Sequence, residues 1–229
     1  MKIVSWNACC KFREKYKEIA KLNADIYVIQ ECENPKTCKD PEYQYFVKNG
    51  FWVGNLNYKG LMVYTTRPDI ELRRLDWHDS EKRFFIPVRV NDSFNLVASW
   101  ACDPYCEELQ DWVDMVGDNI TPDTIIIGDL NSNYVLDPKH IRKTGKSFRK
   151  VVELLRIRQL EDMWHYLKKE EQGKESVPTF YLYRHLDKPY HLDHCFAHPC
   201  VVRSVIIHAR WEWLALSDHL PIEVAINDK

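Results

Sequence analysis

The sequence predicts an α/β fold in which two mixed β-sheets pack face to face and helices cover the outside. Strand-like and helical segments alternate along the 229 residues, but not in strict βαβ order. The short polar turn in "VNDSF", residues 90–94, joins two strand-like runs and predicts an antiparallel hairpin. About nine strands with a few helices are typical of two packed sheets. We expect one domain over residues 1–229.

The strands are predicted from short runs rich in β-branched and aromatic residues. "IIIGDLNSN", residues 125–133, begins with three isoleucines, which is typical of a strand buried on both faces. In chain order the predicted strands are 2–6, 26–29, 61–65, 84–90, 94–100, 124–128, 192–198, 202–209 and 222–226.

Three stretches have the spacing of an amphipathic helix, with apolar residues three or four positions apart. Ser147 precedes the third stretch and is a candidate N-cap. The three apolar faces are Phe12, Tyr16, Ile19 and Ala20; Leu109, Trp112, Val113 and Val116; and Phe148, Val151, Val152 and Leu155.

The charge balance is close to neutral, with 32 Lys and Arg against 34 Asp and Glu. This gives the chain no overall attraction to nucleic acid or anionic membranes, although a local basic patch can still bind phosphate. The segment "HIRKTGKSFRKV", residues 140–151, is either such a patch or a loop with a solvated helix face.

No apolar run approaches the roughly 20 residues of a membrane span, so no membrane partner is expected. The first residues do not have the pattern of a signal peptide, which favours the cytoplasm. The eight cysteines are scattered without a C-x-x-C pair, so free and mostly buried thiols are expected.

Polar side chains stand at the ends of several predicted strands. If these ends meet at one sheet edge, four carboxylates, two amides and one imidazole converge. Carboxylates this close repel unless a cation lies among them, and hard oxygen ligands without thiolates favour Mg²⁺, Mn²⁺ or Ca²⁺. The pattern therefore predicts a divalent metal centre suited to phosphate chemistry. The residues are Asn7, Glu31, Asp129, Asn131, Asp193, Asp218 and His219.

The order W-N, Q-E, G-D-x-N, a lone Asp within a strand, and S-D-H resembles the endonuclease/exonuclease/phosphatase superfamily. That group includes deoxyribonuclease I, exonuclease III, abasic-site endonucleases, sphingomyelinases and inositol polyphosphate phosphatases. The match runs from Asn7 to His219, nearly the whole chain. The resemblance implies a four-layered α-β-β-α sandwich and Mg²⁺-dependent hydrolysis of phosphate esters, with Mn²⁺ as a possible substitute.

The resemblance also implies a role for each residue. Glu31 would be the main metal ligand, with Asn7 beside it and Asp218 on the metal side. Asp129 would hold or deprotonate the attacking water, and Asn131 would hydrogen-bond the phosphate. His219 would contact the scissile phosphate.

A carboxylate beside an imidazole fixes its tautomer and raises its basicity, and Asp193 would do this for His219.

One position departs from the family's pattern. Many relatives have a His or Tyr near the end of the strand before "GDxN", where it assists the leaving group, and Trp100 stands there in this sequence. An indole can donate a hydrogen bond but is not an acid at neutral pH. Asp103 and Tyr105 are alternatives for the acid that assists the leaving group, so the general acid is left open.

Several aromatic and basic residues near the motifs are candidates to line the substrate site. They lie in the region that shapes the pocket in relatives, in "PTFYLYRHLDKPYH" (178–191), or close to "SDH". An aromatic-rich strand and loop is the alternative for the first stretch, and core packing for Trp211 and Trp213, which we expect to alternate along an extended segment. The candidates are Trp100, Tyr181, Tyr183, Arg184, His191 and Trp213.

The predicted activity is a metal-dependent phosphodiesterase acting on nucleic acid as an endonuclease or exonuclease, in a monomeric protein. The balanced charge and Trp100 leave open a phosphatase or phosphodiesterase for a small phosphorylated metabolite or lipid head group. A non-catalytic nucleic-acid-binding relative is the third alternative. The presence of all seven site residues argues against it.

Overall fold

Every segment with a predicted strand pattern contains a strand in the computed structural model, which describes residues 1–77 and 84–227. The strands of these residues are β1 (Lys2–Asn7), β2 (Ile26–Cys32), β3 (Gly50–Leu56), β4 (Lys59–Thr65), β5 (Leu72–Arg74), β6 (Phe85–Val90), β7 (Phe94–Trp100), β8 (Thr124–Asp129), β9 (Glu161–Asp162), β10 (Phe180–Tyr181), β11 (Pro189–Tyr190), β12 (Asp193–Ala197), β13 (Val202–Ile207) and β14 (Ile222–Ile226).

The described strands form two six-stranded mixed sheets and one two-stranded ribbon. The first sheet has the order β13-β14-β1-β2-β4-β3, and the second has the order β5-β6-β7-β8-β12-β9. Each contains one parallel pair, β1 with β2 and β7 with β8, while the other neighbours are antiparallel. The predicted hairpin is confirmed, because β6 and β7 pair with Val90 opposite Phe94.

The two sheets pack against each other through their apolar inner faces. Ile3 and Val28 from the first sheet share one buried cluster with Leu96 and Ile127 from the second. A second apolar cluster lies outside the second sheet, where Phe148 packs, and a third, aromatic cluster covers the outer face of the first sheet. The predicted α-β-β-α sandwich is confirmed.

All three stretches with helical apolar spacing are helical, the first as a 3-10 turn followed by a short α-helix, and four further helices of the described residues were not predicted. Ser147 caps the third stretch as expected. Its hydroxyl oxygen accepts from the backbone N–H of Lys150 at 3.1 Å. The helices are α1 (Tyr16–Ala20), α2 (Pro41–Phe46), α3 (Cys106–Val116), α4 (Asp137–Thr144), α5 (Phe148–Ile157), α6 (Met163–Lys168) and α7 (Arg210–Trp213), with 3-10 turns at Phe12–Glu14, Gly117–Asn119 and Leu182–Arg184.

Some elements lack a local signal and were not predicted. β3 is a half-exposed edge strand, so it has neither a buried run nor a clean alternation. The basic stretch 140–151 forms the end of α4 and the start of α5, in keeping with a loop and solvated helix face. The extended segment predicted for Trp211 and Trp213 is wrong: both lie in α7, and because their spacing is helical, Trp211 is exposed while Trp213 is buried.

The eight cysteines all lie in the described ranges and are free thiols, of which Cys32, Cys106 and Cys195 are buried. Among the described residues, no helix combines the length and the apolar character that crossing a membrane requires.

Candidate active site

Asp129 ends β8 and is fully buried, and two amide side chains satisfy its carboxylate. Its Oδ2 accepts from Nδ2 of Asn7 at 2.9 Å and from Nδ2 of Asn131 at 3.0 Å. Its Oδ1 accepts from the backbone N–H of Asn131 at 3.0 Å. Hydrogen bonds from three donors offset part of the cost of burying the carboxylate.

The backbone turns sharply where the site residues leave their strands. Glu31 and Asn131 have φ values of 56° and 47°, in the left-handed region that non-glycine residues seldom adopt. Gly128 has φ 153°, and an added Cβ would lie 1.9 Å from the carbonyl oxygen of Ser99. These strained positions aim the side chains of the strand ends at one point.

His219 faces two carboxylates. Its Nδ1 lies 2.9 Å from Oδ2 of Asp193, and its Nε2 lies 3.8 Å from Oδ2 of Asp129. Asp193 is directly opposite Asp129 in the pairing of β12 with β8, which brings the two acidic side chains to the same place. The Ser217 hydroxyl fixes the loop, because it donates to the carbonyl of Asn7 at 2.7 Å and accepts from the backbone N–H of His219 at 3.1 Å.

The pKa values of His219 and Asp129 are both raised, which favours the protonated form of each group. Burial alone would lower the pKa of His219, but the charges of Asp193 and Asp129 and the hydrogen bond to Asp193 raise the pKa to about 10. Burial raises the pKa of Asp129 to about 7, with Asp193 adding to the rise and the His219 charge and Asn7 opposing it. At neutral pH the imidazole is therefore charged, and the Asp129 carboxylate is poised to take up a proton.

Glu31 lies at the accessible side of the cluster, where its side chain is 19% exposed. Its carboxylate contacts Nδ2 of Asn7 at 3.4 Å, Nζ of Lys59 at 3.1 Å and Sγ of Cys10 at 3.5 Å. Asp218 and Glu31 both act on the Cys9 thiol, whose pKa is raised by burial first and then by these two carboxylates.

The oxygen donors of this side suit a hard divalent cation. Glu31 and Asp218 offer carboxylate oxygens, whereas the amide of Asn7 turns Nδ2 to Glu31 and Oδ1 to the backbone N–H of Cys9, so it offers an oxygen only after the amide turns. The cation that faces Glu31 among the described residues is the half-exposed Lys59, whose flexible side chain can move away. The two carboxylates have the chemistry that the predicted metal requires.

Four of the six predicted substrate residues, Trp100, Tyr181, His191 and Trp213, are buried. Trp100 is opposite Asp129 in the pairing of β7 with β8, with Phe84 edge-on against its ring and Nζ of Lys59 5.4 Å from the ring centroid. Tyr181 and Trp213 belong to the outer aromatic cluster of the first sheet, where Trp213 packs on Trp6.

The two exposed candidates, Tyr183 and Arg184, are neighbours in one turn, and His191 lies elsewhere. Tyr183 and Arg184 are exposed in a turn with φ values of 55° and 62°, and the Arg184 charge acts on Lys15, whose Nζ donates to the carbonyl of Cys10. His191 is buried against Trp164 and has no contact with His219 among the described residues.

Sequence reasoning missed three residues that support the site. Lys59 pairs with Glu31, Ser217 holds the loop of His219, and Thr179 accepts from the backbone N–H groups of Leu192 and Asp193 at 2.9 and 3.0 Å. Ser217 is part of the "SDH" motif, so its role near His219 could have been predicted from the sequence. Lys59 is 28 positions from Glu31, and no local pattern indicates that the two side chains meet.

Several solved structures share this fold. The chain superposes on a 3′-5′ exonuclease, NExo, of Neisseria meningitidis with a TM-score of 0.73 at 18% identity, over 99% of this chain and 100% of that one. A Neisseria 3′ phosphatase, also NExo, bound to a product DNA hairpin gives 0.72 at 18% identity over 99% of each chain. An AP endonuclease of Archaeoglobus fulgidus gives 0.70 at 16% identity over 100% of each chain.

No protein-family model and no curated protein matches the sequence. The structural similarity shows the fold, so the architecture implied by the resemblance to the endonuclease/exonuclease/phosphatase superfamily is confirmed.

Proposed function

We propose that this protein is a divalent-metal-dependent phosphodiesterase that hydrolyses nucleic acid. The observation that carries the proposal is the buried contact of Asp129 with Asn7 and Asn131 on one side and the Asp193–His219 pair on the other. The similarly folded structures support it, since they are of a 3′-5′ exonuclease, a 3′ phosphatase with a DNA product and an AP endonuclease.

In this proposal His219 binds the phosphate as an imidazolium, which its raised pKa of about 10 keeps charged at neutral pH. Asp193 holds its Nδ1 proton and therefore its orientation. Asp129, with a pKa of about 7, accepts the proton of the attacking water. Asn7 and Asn131 orient this carboxylate. Nδ2 of Asn131 also donates to the carbonyl of Ala101, so it donates to the phosphate only when one of its two hydrogen bonds is released.

Glu31, Asp218 and Asn7 would hold the metal, for which Mg²⁺ is our choice and Mn²⁺ a substitute. When bound, the ion neutralises charge that builds on the phosphoryl oxygens. Lys59 neutralises the charge of the Glu31 carboxylate before the metal binds, since its Nζ lies 3.1 Å from Oε2.

The exposed side chains of Tyr183 and Arg184 are our candidates for contacts to the nucleic-acid chain, as a ring for stacking and a cation for phosphate. Tyr181, Trp213 and His191 are buried and support the walls of the site rather than stack on a base. Trp100 forms the wall beside Asp129. The general acid, Asp103 or Tyr105, stays a prediction, as do the single domain, the monomeric state and the cytoplasmic location.

The test is a parallel assay on DNA with recessed 3′ ends, DNA with 3′-phosphates, abasic duplex, single-stranded DNA, RNA and small phosphate esters, with Mg²⁺ or with EDTA. We expect cleavage of a nucleic acid that EDTA abolishes and that Glu31→Gln lowers by about a hundredfold or more. Glu42→Gln is the matched control, because Glu42 is exposed and its carboxylate contacts, among the described residues, Lys17 and the hydroxyl of Tyr16 rather than the residues of the site.

Hydrolysis of small phosphate esters alone would move the substrate assignment to metabolites. Cleavage that survives EDTA would contradict the metal role. No hydrolysis of any substrate by a folded wild-type protein would favour the non-catalytic binding protein.

A further inference from the structure

A second group of buried histidines and carboxylates lies outside the site described above. His194 follows Asp193 in β12, and because side chains alternate along a strand, its ring faces the outer side of the sheet, 4.7 Å from the ring of Phe148. Asp162 ends β9, and His165 lies in the first turn of α6. All three are buried, with 1%, 2% and 7% of the surface of His194, Asp162 and His165 exposed.

Their polar atoms converge on one point. Oδ2 of Asp162 lies 2.8 Å from Nδ1 of His194 and 3.0 Å from Nδ1 of His165. The side-chain amide nitrogen of Gln172 lies 2.8 Å from the same Oδ2 and 3.1 Å from Nδ1 of His165. One carboxylate oxygen thus has three close neighbours, while Oδ1 of Asp162 is buried and lacks a hydrogen-bond partner among the described residues.

Hydrogen bonds leave two buried oxygens of this group, Oδ1 of Asp162 and Oε1 of Gln172, without a partner among the described residues. In the tautomer whose Nε2–H donates to Glu175, Nδ1 of His165 accepts from the amide nitrogen of Gln172 at 3.1 Å, and no proton then lies between this nitrogen and Oδ2 of Asp162, 3.0 Å away. Turning this amide by 180° would point its oxygen at the shared point, and Oε1 of Gln172 is at present buried without a partner among the described residues.

The outer nitrogens of both rings have the partners that metal-bound histidines usually have. Nε2 of His165 lies 3.0 Å from Oε1 of Glu175, and Nε2 of His194 lies 3.0 Å from the carbonyl oxygen of Ser132. A ligating imidazole donates its other N–H to a carboxylate or a backbone carbonyl, which fixes the ring and raises its basicity. Both rings therefore present Nδ1 inward and an anchored N–H outward.

We propose that Asp162, His165 and His194 bind one transition-metal ion of the Zn²⁺ class, with the Gln172 amide oxygen or water as the fourth ligand. Tetrahedral ligands at about 2.0 Å from Zn²⁺ are about 3.3 Å apart. The two distances from Oδ2 of Asp162 to the histidine nitrogens, 2.8 and 3.0 Å, are near that spacing, and all three ligand atoms lie within 4.8 Å of one another. Imidazole with carboxylate favours Zn²⁺ over Mg²⁺. On binding, any proton on either Nδ1 leaves to solvent, and the ion takes its place.

The site is structural, because its ligands are buried and come from three elements. It ties α6 and β9 to β12, one residue from Asp193. The segment that follows α6 carries Glu175 and leads to Thr179, whose hydroxyl holds the backbone of Asp193. The metal would thus stabilise the strand that carries the partner of His219.

The test measures Zn²⁺ binding to the chelator-stripped full-length protein by competition with a chromogenic chelator. The Glu31→Gln background removes the proposed catalytic metal ligand, so that one remaining equivalent of Zn²⁺ reports on this site. We expect Asp162→Asn and His165→Asn to lose that equivalent, and Glu175→Gln to weaken it about 10–100-fold. His140→Asn, which alters a buried histidine paired with Glu107 elsewhere, is the matched control and should retain it.

Two readouts independent of hydrolysis complete the test. Co²⁺ should give the visible absorption of a tetrahedral centre, and excess Zn²⁺ should raise Tm by about 5 °C or more in the Glu31→Gln background. If the Asp162 or His165 variants do not fold, these measurements on the Glu31→Gln protein, in which both ligands are present, still show whether the site binds a metal. Absence of a bound equivalent there, or binding that persists in both folded ligand variants, would overturn the proposal, whether or not the protein cleaves nucleic acid.

Discussion

Replacing Asp193 by Asn removes the charge that faces Nδ1 of His219 while keeping the size of the side chain and an oxygen that can accept its hydrogen bond. In the wild type these atoms are 2.9 Å apart, and both side chains are buried. The charge of Asp193 is the largest of the effects that raise the pKa of His219 to about 10, against the lowering by burial. Without it we expect this pKa to return to about 6.5, the ordinary value for histidine, or below.

The size of the effect follows from the charged fraction of His219. At pH 8 almost all imidazole rings with a pKa of about 10 are charged, whereas about 3% are charged when the pKa is about 6.5. Protonation alone therefore predicts an approximately 30-fold loss of activity at pH 8. At pH 6 about three quarters of the variant's rings are charged, so the loss should shrink to less than about twofold.

The assay is the ratio of wild-type to variant kcat/KM on the cleaved nucleic acid, measured from pH 6 to pH 8 at saturating Mg²⁺. Taking the ratio reduces the part of the pH dependence that comes from Asp129, because Asp129 titrates in both proteins. Asp69→Asn, at an exposed carboxylate paired with Arg67, is the control and should give a ratio near one throughout. A ratio for Asp193→Asn that does not change with pH would refute the reasoning, because Asp193 would then act without setting the charge of His219.

Three further perturbations test the site and the fold. Lys59→Met removes the ammonium group that competes with a cation for Glu31, so the Mg²⁺ concentration for half-maximal activity should fall about threefold, while Lys17→Met, at an exposed ion pair, should not change it. Ser147→Ala removes the acceptor that caps α5 and should lower the free energy of unfolding in urea by about 1 kcal/mol. Gly128→Ala should lower it by about 3 kcal/mol or more, since the new Cβ would lie 1.9 Å from a carbonyl oxygen of β7 at φ 153°. An unchanged unfolding midpoint in either protein would contradict the local geometry.

The strands were predictable because their signal is local. Ile125, Ile126 and Ile127 are β-branched and adjacent, and a segment of this kind is stable only where both faces are covered. Ser147 could be identified in the same way, because a cap acts on an N–H three residues away. β3 was not predicted, because an edge strand pairs with one neighbouring strand and its half-exposed side chains show no regular alternation of apolar and polar residues.

The main cluster was predictable for a different reason. Its residues follow buried strands in short motifs whose order resembles a known superfamily, and the ends of neighbouring strands meet at an edge. The register then decided the contacts: Asp193 faces Asp129 because β12 pairs antiparallel with β8, and a shift of one residue would have turned it to the other face.

The sequence by itself determined nine of the strands and three helical stretches, and it marked seven polar residues at strand ends. Only the tertiary structure decided that Lys59 faces Glu31, that Trp213 enters the core, and that His194 meets Asp162, 32 positions away. Secondary structure depends on periodicity over a few residues, whereas these partners depend on sheet order, register and the side of the strand from which each side chain projects. Those quantities are fixed only when distant segments pack together.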